Sequence, residues 1–417
     1  MSSSADHNDY SLERPAERRM RRTASAKPRI VVFTRSYPPA YLRGGPARSL
    51  HALVEALAAE FRFSVVTSAF DDPVRGPMQS VESSKWSTFG RAEVWYESRH
   101  HMPARTAVKL LKETEPQLIY LNSLFDYCFA IVPLLIARTM FWRVPIVLAP
   151  RGELSAGALA LKRRKKRAFI AAFRLLKLYE SVTWHASTRQ EKADIERVFG
   201  PRVRSHVAID LRTDLFGDRV EQGQSRRSPD DPHGGSLIFL SRIVPKKNVA
   251  AAIRAMFLLK GNARLSIAGP IEDVRYWNRC LGLVNDTLDP RLIRYVGTIP
   301  ADQVVAFLSR FDLFVFPTLG ENFGHVVLES LAAGTPVIVG NDTPWHRIEA
   351  SGAGWVCDPT DPGAIAELIE RFLSLDEEAR ERMRIAARSL AIEVVKDPSG
   401  VDANRSLFHA LTSTESS

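Results

Sequence analysis

Leu313-Phe314-Val315-Phe316-Pro317-Thr318-Leu319-Gly320-Glu321-Asn322-Phe323-Gly324-His325-Val326-Val327-Leu328-Glu329-Ser330-Leu331-Ala332-Ala333-Gly334-Thr335-Pro336-Val337-Ile338-Val339 is the stretch on which the fold turns. Leu313–Phe316 is a short apolar run of strand type, and a loop with Gly320 and Gly324 follows it. Val326–Ala333 then reads as a helix and Pro336–Val339 as a second apolar strand, the spacing of a parallel crossover in a helix-covered sheet. Glu321 and Glu329 enclose seven residues across the start of that helix. Seven residues make about two helical turns. One carboxylate therefore stands at the N-terminal edge and the other in the second turn, with the amides of Asn322–Gly324 aimed at a ligand between them. A purely structural reason for this constellation is hard to find.

The same alternation runs outward in both directions. Strands are expected at Ile30–Thr34, Val65–Ser68, Leu118–Leu121 and Ile146–Ala149, with helices at Pro46–Ala59 and Phe125–Thr139. A second set has strands at Leu237–Ser241, Leu265–Ala268 and Ile293–Val296, and helices at Val249–Leu259, Ala301–Ser309 and Ala364–Leu373. Between the sets, Arg212 to Gly235 is rich in Asp, Arg, Ser, Gly and Pro and has no apolar face, which marks a linker. The expected class is α/β, with two facing doubly wound Rossmann-like domains. Residues 1–27 read as a disordered basic tail, 28–210 as the first domain, 211–235 as the linker, 236–395 as the second domain, and 396–417 as a helix and tail able to pack back on the first.

Ligands of open α/β sheets bind beyond the carboxyl ends of the strands, so the loops there come first. After the first strand, Gly44-Gly45-Pro46 lets backbone amides approach a phosphate before a helix; a tight strand-to-helix turn explains the glycines equally well. In the second domain, Ser241-Arg242-Ile243-Val244-Pro245-Lys246-Lys247-Asn248 is expected to bring Arg242 and Lys247 to one spot at a helix start. There they would stabilise a departing diphosphate without a metal ion. A solvated basic loop is the alternative for this segment taken alone.

Composition bounds the rest. The chain has 417 residues, 45% hydrophobic and 25% charged, enough for two domains. Cys128, Cys280 and Cys357 are scattered and fit neither a disulfide framework nor a zinc site, which points to a reducing cytosol. No apolar run reaches the roughly eighteen residues of a spanning helix. The formal charge of +10 suits polyanionic surroundings, but no recognition helix, RNP-type aromatic pattern or zinc finger supports a nucleic-acid-binding protein.

The Glu321–Glu329 segment resembles the Glu-x7-Glu signature of the family 4 retaining glycosyltransferases, and Arg242 with Lys247 resembles that family's Arg…Lys pair. The resemblance covers nearly all of residues 28–395, including Ala149-Pro150-Arg151-Gly152-Glu153, Ile267-Ala268-Gly269-Pro270 and Tyr295-Val296-Gly297. It implies the GT-B architecture, with an acceptor-binding first domain and a nucleotide-sugar-binding second domain.

By that resemblance Arg242 and Lys247 hold the donor diphosphate, Glu329 the ribose, and Glu321 the transferred sugar. Asn322, Phe323, Gly324 and His325 cradle sugar and phosphate, Thr298 and Ile299 border the base, and Gly44 and Gly45 close over the phosphates. Catalysis would retain configuration through front-face departure and attack, with a UDP-sugar or GDP-sugar as donor and neither cofactor nor metal. The intact Arg242, Lys247, Glu321 and Glu329 argue against an inactive scaffold.

Many members of the family carry a histidine where this chain has Asn122-Ser123, and Asn-Gly where it has Ala208-Ile209 before Asp210. Asn122, Arg151 and Glu153 are placed on the acceptor side, although an Arg–Glu pair that only shapes its loop would explain the last two. Lys162 to Arg167 is an unbroken run of six cations leading into Phe169-Ile170, Phe173 and Leu175-Leu176, a basic amphipathic helix suited to an anionic membrane. A helix packed by its apolar face with its charges in water is the alternative. The expected partners are the nucleotide-sugar donor, a glycan or polyprenyl-diphosphate-linked acceptor, and the inner face of a plasma membrane, in bacterial cell-surface or exopolysaccharide biosynthesis.

Overall fold

The computed structural model of the chain describes residues 27–40, 45–71, 76–160, 163–212, 235–287 and 292–413. The basic tail up to residue 26, Gly44, Lys162 and linker residues 213–234 lie outside them. The strands form two sheets. The first contains β1 (Arg29–Thr34), β2 (Arg62–Ser68), β3 (Trp86–Phe89), β4 (Ala92–Glu97), β5 (Leu118–Asn122), β6 (Ile146–Ala149), β7 (Thr183–Ala186) and β8 (Ser205–Val207) in the order β3-β4-β2-β1-β5-β6-β7-β8. Every pair is parallel except β3–β4.

The second sheet has β9 (Ser236–Leu240), β10 (Arg264–Ala268), β11 (Ile293–Tyr295), β12 (Leu313–Phe316), β13 (Val337–Gly340) and β14 (Gly354–Cys357) in the order β11-β10-β9-β12-β13-β14, all parallel.

Burial explains which strands the sequence betrays. Along β1, Val31 and Phe33 enter one core while Ile30 and Val32 enter the core on the opposite face, so the whole strand is apolar. The edge strands β3 and β8 bury neither face fully, and β7 buries His185 among its apolar residues; none of these three, nor β4 and β14, was expected. The helix expected at Phe125–Thr139 begins instead as a π-helical turn, Tyr127–Ile131, and continues as Val132–Met140. Its start is set by Asp126, whose carboxylate accepts the amides of Cys128 (3.0 Å) and Phe129 (2.9 Å) and pairs with Arg35. Ala301–Ser309 divides into a 3-10 turn, Ala301–Gln303, and a short helix, Val304–Leu308.

The final helix, Pro398–Thr412, returns to the first sheet. Phe408 is fully buried there, stacked on Tyr120 at 5.7 Å between ring centroids and tilted against Phe61 at 5.6 Å. Asn404 donates to the Ile209 carbonyl at 3.0 Å and fixes the helix beside the entry to the linker.

Candidate active site

A cleft of about 550 Å³ lies between the two domains, beyond the carboxyl ends of β1, β5, β6, β9 and β12. Every described candidate lines it: Gly45, Asn122, Arg151, Glu153, Arg242, Lys247, Thr298, Ile299, Glu321, Asn322, Phe323, Gly324, His325 and Glu329.

The C-terminal wall is two loops stitched together. A 3-10 turn, Pro245–Lys247, ends at Asn248 in the left-handed region (φ 59°), and the Asn248 amide donates to the carbonyls of Pro317 (3.0 Å) and Pro359 (2.7 Å). The Lys246 carbonyl accepts the Leu319 amide at 2.9 Å, and the Thr318 hydroxyl oxygen lies 3.2 Å from it. These bonds set Lys247 Nζ against Glu321 Oε1, each side chain only 12% exposed, and Thr318 Oγ1 donates to the same carboxylate at 3.2 Å. Burial pushes the Lys247 ammonium below its usual range; Glu321 pulls it back up and Arg242 pushes it down further.

Arg242 lines the same cleft as Lys247 but has a partner of its own. Its Nη1 pairs with Glu272 Oε2 at 3.0 Å, and both side chains are nearly half exposed. The isolated bridge Ile243–Ile271 holds the loops after β9 and β10 side by side, so Arg242 at the cleft lip meets the carboxylate opposite it while Lys247 turns inward.

The N-terminal wall is a buried polar network. Arg151, in the left-handed region (φ 51°), donates through Nε to Asn122 Oδ1 at 2.8 Å, through Nη2 to Tyr120 Oη at 2.7 Å, and pairs through Nη1 with Asp210. Tyr120 Oη lies 2.7 Å from His185 Nδ1, and His185 Nε2 lies 2.8 Å from the Ala208 carbonyl. The carbonyl can only accept, so Nε2 carries the ring proton and Tyr120 donates to Nδ1. Burial, reinforced by Arg151, lowers the His185 pKa to about 3. Burial raises that of Asp210 against the pull of Arg151.

Glu153 turns away from Arg151. Its carboxylate accepts the Ser123 hydroxyl (2.8 Å) and the amides of Leu124 (2.6 Å) and Phe125 (3.2 Å), so the two side chains form no ion pair that shapes the loop.

Between the walls, Glu329 Oε1 is held by Arg48 of the helix Gly45–Leu57 and by Arg212 at 3.1 Å, with all three side chains at most 12% exposed. His325 Nε2 meets Ser49 Oγ of the opposite domain at 2.7 Å. A Cβ on Gly45 would overlap the His325 ring, and one on Gly152 (φ 78°) would stand 2.8 Å from the Asn322 amide group; the two glycines let the walls meet. Burial, with Arg212, Arg48, Arg151 and Lys247 around it, keeps His325 well below its ordinary pKa and so neutral. Asn322 Nδ2 and His325 Nδ1 are buried here without hydrogen-bond partners.

Sequence reasoning missed Arg48, Arg212, Tyr120 and His185. Arg48 had a signal, since it lies in the first turn of the helix opened by Gly45-Pro46 and so faces the same point as those amides.

Comparison with known proteins adds identity to this geometry. Residues 223–390 match the model of glycosyl transferases group 1. The glycogen synthase of Mycobacterium tuberculosis is 25% identical over 388 residues, covering 87% of this chain and 90% of that protein. The O-antigen chain mannosyltransferase B of Escherichia coli is 29% identical over 144 residues, 34% of this chain and 38% of that protein. Among solved structures, Anabaena HepE in complex with UDP and glucose aligns at TM-score 0.64 and 15% identity over 92% of this chain and 99% of its own. Sucrose-phosphate synthase of Thermosynechococcus elongatus aligns at TM-score 0.69 and 17% identity over 92% of this chain and all of its own. The chain is therefore built on the two-domain GT-B fold, and its residues 223–390 are similar to the group 1 glycosyl transferases.

Proposed function

We propose that this glycosyltransferase moves a sugar from a nucleoside-diphosphate donor, UDP- or GDP-linked, to a glycan or polyprenyl-diphosphate-linked acceptor, retaining the anomeric configuration and using no metal ion. One observation carries the reading: the charge of the cleft. Arg48, Arg151, Arg212, Arg242, Lys246 and Lys247 face Glu153, Asp210, Glu321 and Glu329, which leaves two positive charges in excess, the complement of a diphosphate. The orphaned Asn322 Nδ2 and His325 Nδ1 supply a donor and a ring nitrogen for sugar or phosphate oxygens, as buried polar atoms at binding sites do.

In this scheme Lys247 and Arg242 hold the diphosphate and take up the charge that develops as the C1–O bond to phosphate breaks. Glu321, anchored by Lys247 and Thr318, receives hydroxyls of the transferred sugar. Glu329 exchanges an arginine partner for the ribose diol, and Thr298 and Ile299 border the base. The departing phosphate oxygen accepts the proton of the acceptor hydroxyl as that hydroxyl attacks the same face. Support for the donor class comes from HepE, bound to UDP and glucose; support for an envelope glycan comes from the O-antigen mannosyltransferase and from a putative colanic acid glycosyltransferase of Salmonella typhimurium.

The deciding experiment is a thermal-shift screen against UDP, GDP, ADP and CDP and their sugars. One nucleotide should raise Tm, as binding to the native state does, by the equivalent of about 2.7 kcal/mol at a hundredfold excess over Kd. Glu329→Ala and Arg242→Ala should abolish the rise; no response to any nucleotide defeats the proposal. Turnover should persist in EDTA, and complete loss restored by magnesium or manganese refutes the metal-free scheme.

A further inference from the structure

The chain's net charge is concentrated in one segment. Between Asp126 and Glu180 there are eleven Lys and Arg residues and a single acid, Glu153, so residues 127–179 carry the entire formal charge of +10 and the remainder sums to zero. That one acid is spent on the Ser123–Phe125 loop.

The segment also holds the exposed apolar surface of its domain. Among the described residues of the first domain, the exposed large apolar side chains are Tyr127 (65%), Leu135 (41%), Met140 (51%), Trp142 (71%), Leu175 (84%) and Leu176 (59%), all inside it. A contiguous apolar surface that a monomer leaves in water marks an interaction site.

Topology puts these residues on one face. The helices Val132–Met140 and Arg163–Leu175 connect β5 to β6 and β6 to β7, neighbouring parallel strands, so they lie on the same side of the sheet. Leu134, Ala137 and Phe173 enter the same core beneath them, and the opposite sides of both helices point outward. At the cleft end stand Tyr127 and the exposed Arg163, Arg164, Lys165 and Arg167; at the far end stand Met140, Trp142 and Leu175. Among the described residues of the run, only Lys166 turns inward, donating to the Ala158 carbonyl at 2.7 Å and lying over the Phe125 ring. Arg143 stacks on Trp142 at 4.8 Å, a pairing of cation and indole suited to a headgroup layer.

We propose that this face docks on an anionic phospholipid bilayer, with Arg163, Arg164, Lys165 and Arg167 against the headgroups and Met140, Trp142 and Leu175 in the interfacial layer. Cations alone would fit any polyanion. The intermixed Trp, Met and Leu, with no acid among them, select a surface that is negative outside and apolar beneath. The loop Arg151–Glu153 on the cleft wall is ten residues from Arg163, so docking sets the acceptor side of the cleft at the membrane. That last step rests on the lipid-linked acceptor proposed above; the docking itself does not.

The test is flotation of the full chain with phosphatidylcholine vesicles, with or without about one-third phosphatidylglycerol. Binding is expected only to the anionic vesicles and should be lost as salt rises from about 0.1 to about 0.5 M. Each basic residue contributes about fivefold in partition. Arg163→Glu/Arg164→Glu/Lys165→Glu should therefore lower it by more than about a hundredfold, and Trp142→Ser/Leu175→Ser by about tenfold at unchanged charge. Equal binding to neutral vesicles, binding unaffected by the triple reversal, or a wild-type dimer that Trp142→Ser dissociates would each overturn the proposal, the last by assigning the face to a second copy. None of these residues lines the cleft, so the nucleotide thermal shift of the variants certifies their fold. Wild-type protein that shows the shift but binds no vesicles sinks docking alone, and wild-type protein that binds vesicles but shows no shift sinks the donor reading alone.

Discussion

The two walls of the cleft are built in opposite ways. The C-terminal wall is local: Lys247 and Glu321 come from loops after adjacent strands β9 and β12, joined by backbone bonds and by Thr318. The N-terminal wall is collected from separate strand ends, with Tyr120 and Asn122 from β5, Arg151 after β6, His185 from β7 and Asp210 beyond β8. A local wall can be altered with its domain intact, whereas a collected one is part of what holds its domain together. Changes to the first should register in turnover and changes to the second in stability.

The largest effect should come from Lys247→Ala, which removes the buried cation proposed to hold the diphosphate. A fall in kcat of about 10²–10³ is expected, the size found for removal of one preorganised donor. The stranded Glu321 should also cost about 3 kcal/mol of stability. Lys247→Met combined with Glu321→Gln should recover that stability and none of the turnover; recovery of both would mean the pair is only structural.

Acidification reaches both walls at once. His185, lowered to about 3, and His325, lowered well below its ordinary value, stay neutral in the folded protein while the unfolded chain protonates below about pH 6.5. The unfolded state then binds more protons, so stability is intact above pH 6.5 and falls as pH drops, by about 1.4 kcal/mol per pH unit for each histidine. The raised Asp210 carboxyl works in the opposite direction, stabilising the fold once it protonates at lower pH. Chemical denaturation from pH 7 to 5 measures the slope. His185→Gln should take about half of it away, and an unchanged slope would remove His185 from the account.

Tyr120→Phe would leave Arg151 Nη2 and His185 Nδ1 without their shared partner, at about 1–3 kcal/mol. Calorimetry should show a drop in Tm of about 2–4 °C per kcal/mol, with kcat per folded molecule little changed. A fall in kcat without a fall in Tm would reverse the comparison between the walls. Smallest of all, Arg242→Ala should change the stability of the free protein by no more than about 0.5 kcal/mol, since its pair with Glu272 is exposed, while weakening donor binding.

The same contrast governs what the sequence discloses. The C-terminal wall comes from two short loops, so Glu321 and Glu329 stood out by their spacing and Lys247 by its match to the family's Arg…Lys pair, and strands buried on both faces, such as β1 and β12, announced themselves by apolar runs. The N-terminal network left no such mark, because Tyr120 and His185 sit inside apolar strands where a polar side chain reads as noise, and their partners are remote in sequence. Arg242 was legible in position, but a sequence shows which strand end a side chain leaves from, not that Glu272 on the neighbouring loop will pair with it.

Phe408 sets a timetable for synthesis. The ring that fills the space between Tyr120, Phe61 and Phe63 follows the whole second domain in the chain, nearly 290 residues beyond Tyr120. The first domain emerges early but cannot seal its core until the second has been made and the final helix has crossed back, so it waits with apolar surface uncovered while its partner is translated at about 5–20 residues per second. A nascent chain stalled just before Pro398 should therefore expose its first domain to protease and chaperone while its second is already closed.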